Sequence, residues 1–212
     1  MISPQEAIFR LRDGNRRYVT TLSSPDIHLT LTRRIELAAE QQPFAVVLGC
    51  SDSRVPIELI FDQSIGDLFV IRVAGNIASP TQIGSIEYAV EQLGTRLIVV
   101  LGHTGCGAVQ ATLAEIQSPG GIRSEHLMGI VEHVRPAFES FPDQIFRSDT
   151  SDLIRMAVRE NVRSSVRTIQ ETSPSIAHMI KETGLRIAGA EYALESGVVD
   201  FFDGLSPSRQ SR

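Results

Sequence analysis

Three short apolar runs organise the chain: FAVVLG (44–49), LFVIRV (68–73) and RLIVVLG (96–102). Each is rich in β-branched residues and alternates little with polar positions, the pattern of strands buried on both faces. Helical periodicity surrounds them, in IGSIEYAVEQL (83–93), in GAVQATLAEIQ (107–117) and in two further stretches between 124 and 183. Ahead of the first strand, SPQE (3–6) reads as a helix start, with Ser3 as N-cap, Pro4 at the first helical position and Glu6 completing a capping box. That helix is predicted to run to about Val19, with Ile8, Leu11 and Tyr18 on one face. TTLSSPDIHLT (20–30) reads as a loop, 30–42 as a second helix stopped by Pro43, and SPGGIRSE (118–125) as another loop. Late in the chain, LRIAGAEYAL (185–194), Ser196-Gly197 and VVDFF (198–202) predict a strand and its hairpin partner. Strands alternating with helices give an α/β fold: a central, mostly parallel sheet flanked by helices, with an antiparallel hairpin at the C-terminal edge. One domain over 1–205 and a flexible tail at 206–212 are expected.

Composition narrows the class. The 212 residues are 42% hydrophobic and 21% charged, ordinary for a soluble globular protein. A net charge of -5 gives no reason to expect nucleic acid or an anionic membrane as a partner. The arginines of the first helix, Arg10, Arg12, Arg16 and Arg17, read as a solvated face. No apolar run is long enough to span a bilayer, and MISPQEAIFRLRDGNRRYV carries no signal-type apolar core. Two cysteines, Cys50 and Cys106, make no disulfide framework, so a cytoplasmic location is expected.

The chemistry-bearing residues sit where strands end. One predicted strand runs into GCSDSRV (49–55), the other into GHTGCG (102–107). Ligands of open parallel sheets bind beyond the carboxyl ends of the strands. If these two strands are neighbours, Cys50, His103 and Cys106 converge above one sheet edge. Two thiolates and an imidazole are a zinc donor set, and three protein ligands leave the fourth position of a catalytic site. Taken alone, the cysteines also read as small buried hydrophobes. A phosphatase-type loop is disfavoured because Pro56 stands where its arginine belongs. A dinucleotide fingerprint is disfavoured because GHTGCG has the wrong glycine spacing.

GCSDSRV, GDLFVIRVAGN, GSIEYAV and VVLGHTGCGAV together resemble the β-class carbonic anhydrases, densely over residues 40–112. GNRRYV of the first helix and the C-terminal hairpin match more loosely. The resemblance implies one Zn2+ per chain on Cys50, His103 and Cys106, with Asp52 and Arg54 as the catalytic dyad. It implies CO2 and bicarbonate as substrates, with zinc-bound hydroxide as the attacking group. Gln41 matches a residue that donates a hydrogen bond to substrate. Phe69 and Tyr88 match positions that wall the CO2 pocket, partly from a partner subunit. Gly107 offers a backbone N–H near the metal. Residues 1–42 become an N-terminal helical arm reaching across a partner, in a dimer or dimer-based tetramer. One departure is Val73, where the family often has Asn after the strand arginine. His28, His126, His133 and His178 lie outside the motifs.

Charge explains the expected dyad. Two thiolates cancel the ion's charge, so its water should lose a proton at higher pH than in a three-histidine site. Asp52, two residues from a ligand, can reach the metal itself, and Arg54 can hold it off through a planar bidentate contact. The family has open and closed resting sites. Val47 in place of the Trp typical of the closing group, together with Gln41, implies the open one, with Asp52 on Arg54. Relatives that hydrolyse carbon disulfide or carbonyl sulfide on the same fold are the alternative. A non-catalytic zinc module is disfavoured by the dyad.

Overall fold

The computed structural model describes residues 2–20, 35, 37–142 and 150–204. The three apolar runs become β1 (Ala45–Gly49), β2 (Leu68–Arg72) and β3 (Leu97–His103). Every residue of β1 and β3 is buried, as unbroken apolar runs require. With β4 (Arg186–Tyr192) and β5 (Val199–Asp203) they form a five-stranded sheet in the order β2-β1-β3-β4-β5. The first four strands are parallel to their neighbours and β5 is antiparallel to β4, with an irregularity between Gly189 and Ala190.

Alternate side chains of the central strands feed two separate cores. Val47, Val99 and Leu101 face one side, where Ala7 and Leu11 of α1 (Pro4–Val19) and Ile57 and Ile60 of α2 (Ile57–Ile60) cover them. Val46, Leu48, Ile98 and Val100 face the other. There they meet α3 (Pro80–Glu91), Val162, Val166 and Ile169 of a long helix (150–172), and Ile176. The Ser3 hydroxyl accepts the Glu6 N–H at 3.2 Å, and α1 ends at Val19 as predicted. Within one chain α1 is seated on that chain's own core. Buried Asn15 fastens it there. Its amide donates to the carbonyls of Ile60 (3.1 Å) and Gly197 (2.8 Å) and accepts the Val199 N–H (2.8 Å). Removing that amide would strand three buried backbone groups, at about 1–3 kcal/mol each.

Between 124 and 183 the chain forms more than two helices: α5 (Glu125–Val134), α6 (Pro136–Glu139), α7 (Thr150–Thr172) and α8 (Pro174–Glu182). Pro136 and Pro174 stand at helix starts, where a residue without an N–H costs nothing, so each opens a new helix. Between β3 and α5, α4 occupies Gly107–Gln117 as predicted. Of the helix expected over 30–42, residues 35 and 37–39 are helical and 40–42 are not. Residues 21–34, residue 36 and the tail lie outside the described residues. No helix among the described residues is long and apolar enough to cross a membrane.

Candidate metal centre

β1 and β3 are direct neighbours, with Val46 opposite Ile98 and Gly49 opposite Leu101. That register brings Cys50, the residue after β1, out beside the last two residues of β3, Gly102 and His103. The chain then turns through Gly105, whose φ of +64° lies in the left-handed region that favours glycine, and returns Cys106 as the residue capping α4. The ligand atoms of Cys50, His103 and Cys106 all lie within 4.8 Å of one another.

The electrostatics of this cluster call for a cation. Both thiols are free, and Cys50, His103 and Cys106 are 5%, 0% and 1% exposed. His103 Nδ1 lies 2.9 Å from the Thr104 carbonyl, an acceptor, so Nδ1 carries the proton and Nε2 the lone pair. Nε2 is buried with no hydrogen-bond partner. An orphaned buried acceptor costs about 1–3 kcal/mol, and an ion shared with the thiols removes that cost. Protons compete for the same place. The two sulfurs set each other apart: the neighbouring Cys106 holds the Cys50 thiol far below the usual range, while the Cys50 sulfur pushes Cys106 upward. Two sulfurs and one imidazole nitrogen suit a borderline-soft divalent ion, and three ligands are one short of a closed tetrahedral shell.

Beside the cluster stands the Asp52 carboxylate, with Oδ2 3.9 Å from His103 Nε2. Arg54 grips it with one edge of its guanidinium, Nε to Oδ1 at 2.9 Å and Nη2 to Oδ2 at 2.7 Å, and its backbone N–H adds a bond of 2.9 Å. The Arg54 side chain holds the Asp52 carboxyl well below the usual carboxylate range. Arg72, the last residue of β2, donates to the carbonyls of Cys50 (3.0 Å) and Asp52 (2.7 Å), fastening the loop that carries ligand and carboxylate.

A family model for carbonic anhydrase matches residues 45–199, which hold this whole cluster. The chain is 38% identical over 198 residues to carbonic anhydrase 2 of Mycobacterium tuberculosis, covering 92% of this chain and 91% of the relative. It is 39% identical over 202 residues to the carbonic anhydrase of Mycolicibacterium smegmatis, covering 93% of each. Its fold superimposes on a tetrameric β-carbonic anhydrase of Sordaria macrospora with a TM-score of 0.73 and 25% identity, covering 95% of this chain and 100% of the other. The chain belongs to the β-class carbonic anhydrases.

In this β-carbonic anhydrase the four expected pocket residues do not gather in one place. Gly107 opens α4 directly after Cys106, at the ligand end of the sheet. Gln41 and Tyr88 instead line a groove of about 1120 Å³ with Phe44, Leu68, Thr95 and Arg96, residues that precede or begin the strands. Phe69 lies next to Tyr88, its ring 6.2 Å away, packed against the core. The five residues of β1 separate this groove from Cys50, on the order of 16 Å of strand. His133 is engaged locally, Nδ1 lying 2.7 Å from the Gly129 carbonyl, and His28 lies outside the described residues. Two contributors to the site escaped the sequence reading: Arg72 and the Thr104 carbonyl. Only Arg72 left a signal, as a charge closing an otherwise apolar strand.

Proposed function

We propose that this carbonic anhydrase catalyses the reversible hydration of CO2 to bicarbonate and a proton at one zinc ion per chain, held by Cys50, His103 and Cys106. The observation that carries the reading is the orphaned, fully buried His103 Nε2 within 4.8 Å of two free buried thiols. Cys50, His103 and Cys106 would hold the zinc, and the chemistry it would supply there is a water acidic enough to serve as a nucleophile. Asp52 accepts a hydrogen bond from the attacking water and aims its lone pair at the CO2 carbon. Arg54 keeps the carboxylate turned toward itself, so that Asp52 does not take up the remaining coordination position. Arg72 holds the loop backbone still while this happens.

The groove at the opposite end of the sheet supports a shared pocket. Gln41, Phe69 and Tyr88 are too far from their own chain's cysteines to touch a substrate there. They serve the metal centre of a second copy, in a dimer or a dimer-based tetramer. Stopped-flow CO2 hydration with a pH indicator, run beside elemental analysis, tests the reading. Expected are one zinc per chain and a rate that rises with pH as the nucleophile forms. A zinc-loaded protein with no hydration activity would overturn it.

A further inference from the structure

The Cys50 sulfur accepts two backbone N–H groups, from Asp52 and from Gly75, each at 3.4 Å. Asp52 belongs to the same loop. Gly75 comes from the short 3-10 turn Ala74–Asn76 that follows β2, and its conformation is unusual. Gly75 has φ +71° and Asn76 φ +45°, two successive residues in the left-handed region. A Cβ at Gly75 would meet Ala108 Cβ at 3.0 Å and Val134 Cγ2 at 3.2 Å, so the segment is walled in as well as twisted.

Two side chains of α7 hold this turn. Asn161 Nδ2 donates to the Gly75 carbonyl at 2.8 Å, and the Ser165 hydroxyl donates to the Asn76 carbonyl at 3.0 Å. They lie one helical turn apart, on one face. The peptide between Gly75 and Asn76 is thereby gripped at both ends, because the Asn76 N–H also reaches the Val73 carbonyl at 3.0 Å. The Gly75 N–H belongs to the preceding peptide, joined to this fixed plane through the φ and ψ of Gly75 alone, and it is aimed at the Cys50 sulfur.

Stability alone does not account for Asn161. It is 1% exposed, and its Oδ1 has no hydrogen-bond partner. A buried amide with one half unsatisfied costs more than an apolar side chain of the same size. What the position supplies is the donor on Gly75.

We propose that Asn161 is a positioning residue for the metal ligand Cys50, acting through the Gly75 peptide. By locking the turn it fixes the direction of the Gly75 N–H and so the orientation and donor strength of the thiolate. The proposal rests on Cys50 being a metal ligand, and the test separates the two. Asn161→Ala is compared with Val166→Ala, a truncation on the same helix of an apolar side chain in the core beneath the sheet. Each is loaded with zinc and titrated against a competing chelator, then loaded with cobalt(II) to read the thiolate-to-cobalt charge-transfer band. Asn161→Ala should bind metal about tenfold more weakly, the lower end for loss of a partner behind a ligand, with a shifted band. Val166→Ala should melt earlier yet keep both affinity and band. If Asn161→Ala does not fold, Asn161→Ser, which keeps a donor of shorter reach, should show the same changes in smaller measure. A folded Asn161 variant with wild-type affinity and band, or equal changes in Val166→Ala, would overturn the proposal. A charge-transfer band that Cys50→Ser leaves unchanged would instead sink the Cys50 assignment.

Discussion

Replacing Arg54 with Met separates what the Asp52–Arg54 pair does for the fold from what it does for the reaction. The substitution keeps most of the side-chain length and removes two charge-assisted hydrogen bonds, of 2.9 and 2.7 Å. The backbone N–H bond to Asp52 remains. In the fold these bonds weigh little, because the Arg54 side chain is 57% exposed and water screens and replaces it. A pair so exposed contributes little to stability. In the reaction they weigh more. Asp52 Oδ2 is 3.9 Å from His103 Nε2, and without the guanidinium the carboxylate is free to turn toward the ligands. Loss of a partner that orients a metal site typically costs about 10–100-fold, which corresponds to about 1.4–2.8 kcal/mol in the barrier. The effect on kcat/KM should therefore exceed the effect on stability. Stopped-flow hydration, thermal melting and zinc content, measured on the same preparation, read the three quantities. Arg54→Lys keeps the charge without the planar fork and should fall in between. A fully loaded Arg54→Met enzyme with near wild-type kcat/KM would refute the reasoning. So would a loss of stability large enough to account for the loss of activity.

Further expectations follow from other contacts. Cys106→Ser should lose most of its zinc by elemental analysis, since a neutral hydroxyl replaces a thiolate in the donor set; wild-type content would remove Cys106 from the site. Mixed dimers of Cys50→Ser and Gln41→Ala chains should be more active than the Gln41→Ala dimer, because one of their pockets combines an intact metal centre with an intact Gln41. No gain on mixing would place Gln41 outside a shared pocket. The buried Glu115 carboxylate accepts the N–H groups of Gly120 (2.6 Å) and Ile122 (3.1 Å), and the Gly120 bond foremost holds it below the usual carboxylate range. A lowered native pKa contributes stability that is present above the unfolded value, about 4.3, and is lost as pH falls through the native one. The melting-temperature gap between wild type and Glu115→Gln should therefore narrow on acidification, and a gap independent of pH would contradict this.

Some of this was local and therefore legible in the sequence. The strands announced themselves because β1 and β3 are covered on both faces, which demands unbroken apolar runs. The start of α1 was legible because Ser3 caps a helix through an N–H only three residues away. Cys50, His103 and Cys106 stood out because strand ends in a parallel sheet are where ligands bind. Their meeting depended on a condition the sequence left open, that β1 lies beside β3, and the sheet order decides it through pairings across more than fifty residues. The splitting of 124–183 was visible in its prolines but needs the packing of each piece to become definite. Arg72 showed only as a charge closing an apolar strand, with nothing to indicate that it reaches the Cys50 and Asp52 carbonyls, and Asn161 on the Gly75 carbonyl left no pattern; these contacts join segments 20 to 86 residues apart. Gln41, Phe69 and Tyr88 lie at the other end of the sheet from Cys50, His103 and Cys106 for a plain geometric reason: a strand has length. Sequence specifies which side chains a short stretch can offer, through periodicity, caps and turns. Which of them face one another depends on how strands are ordered and how helices dock, and those choices are made by contacts between residues far apart in the chain.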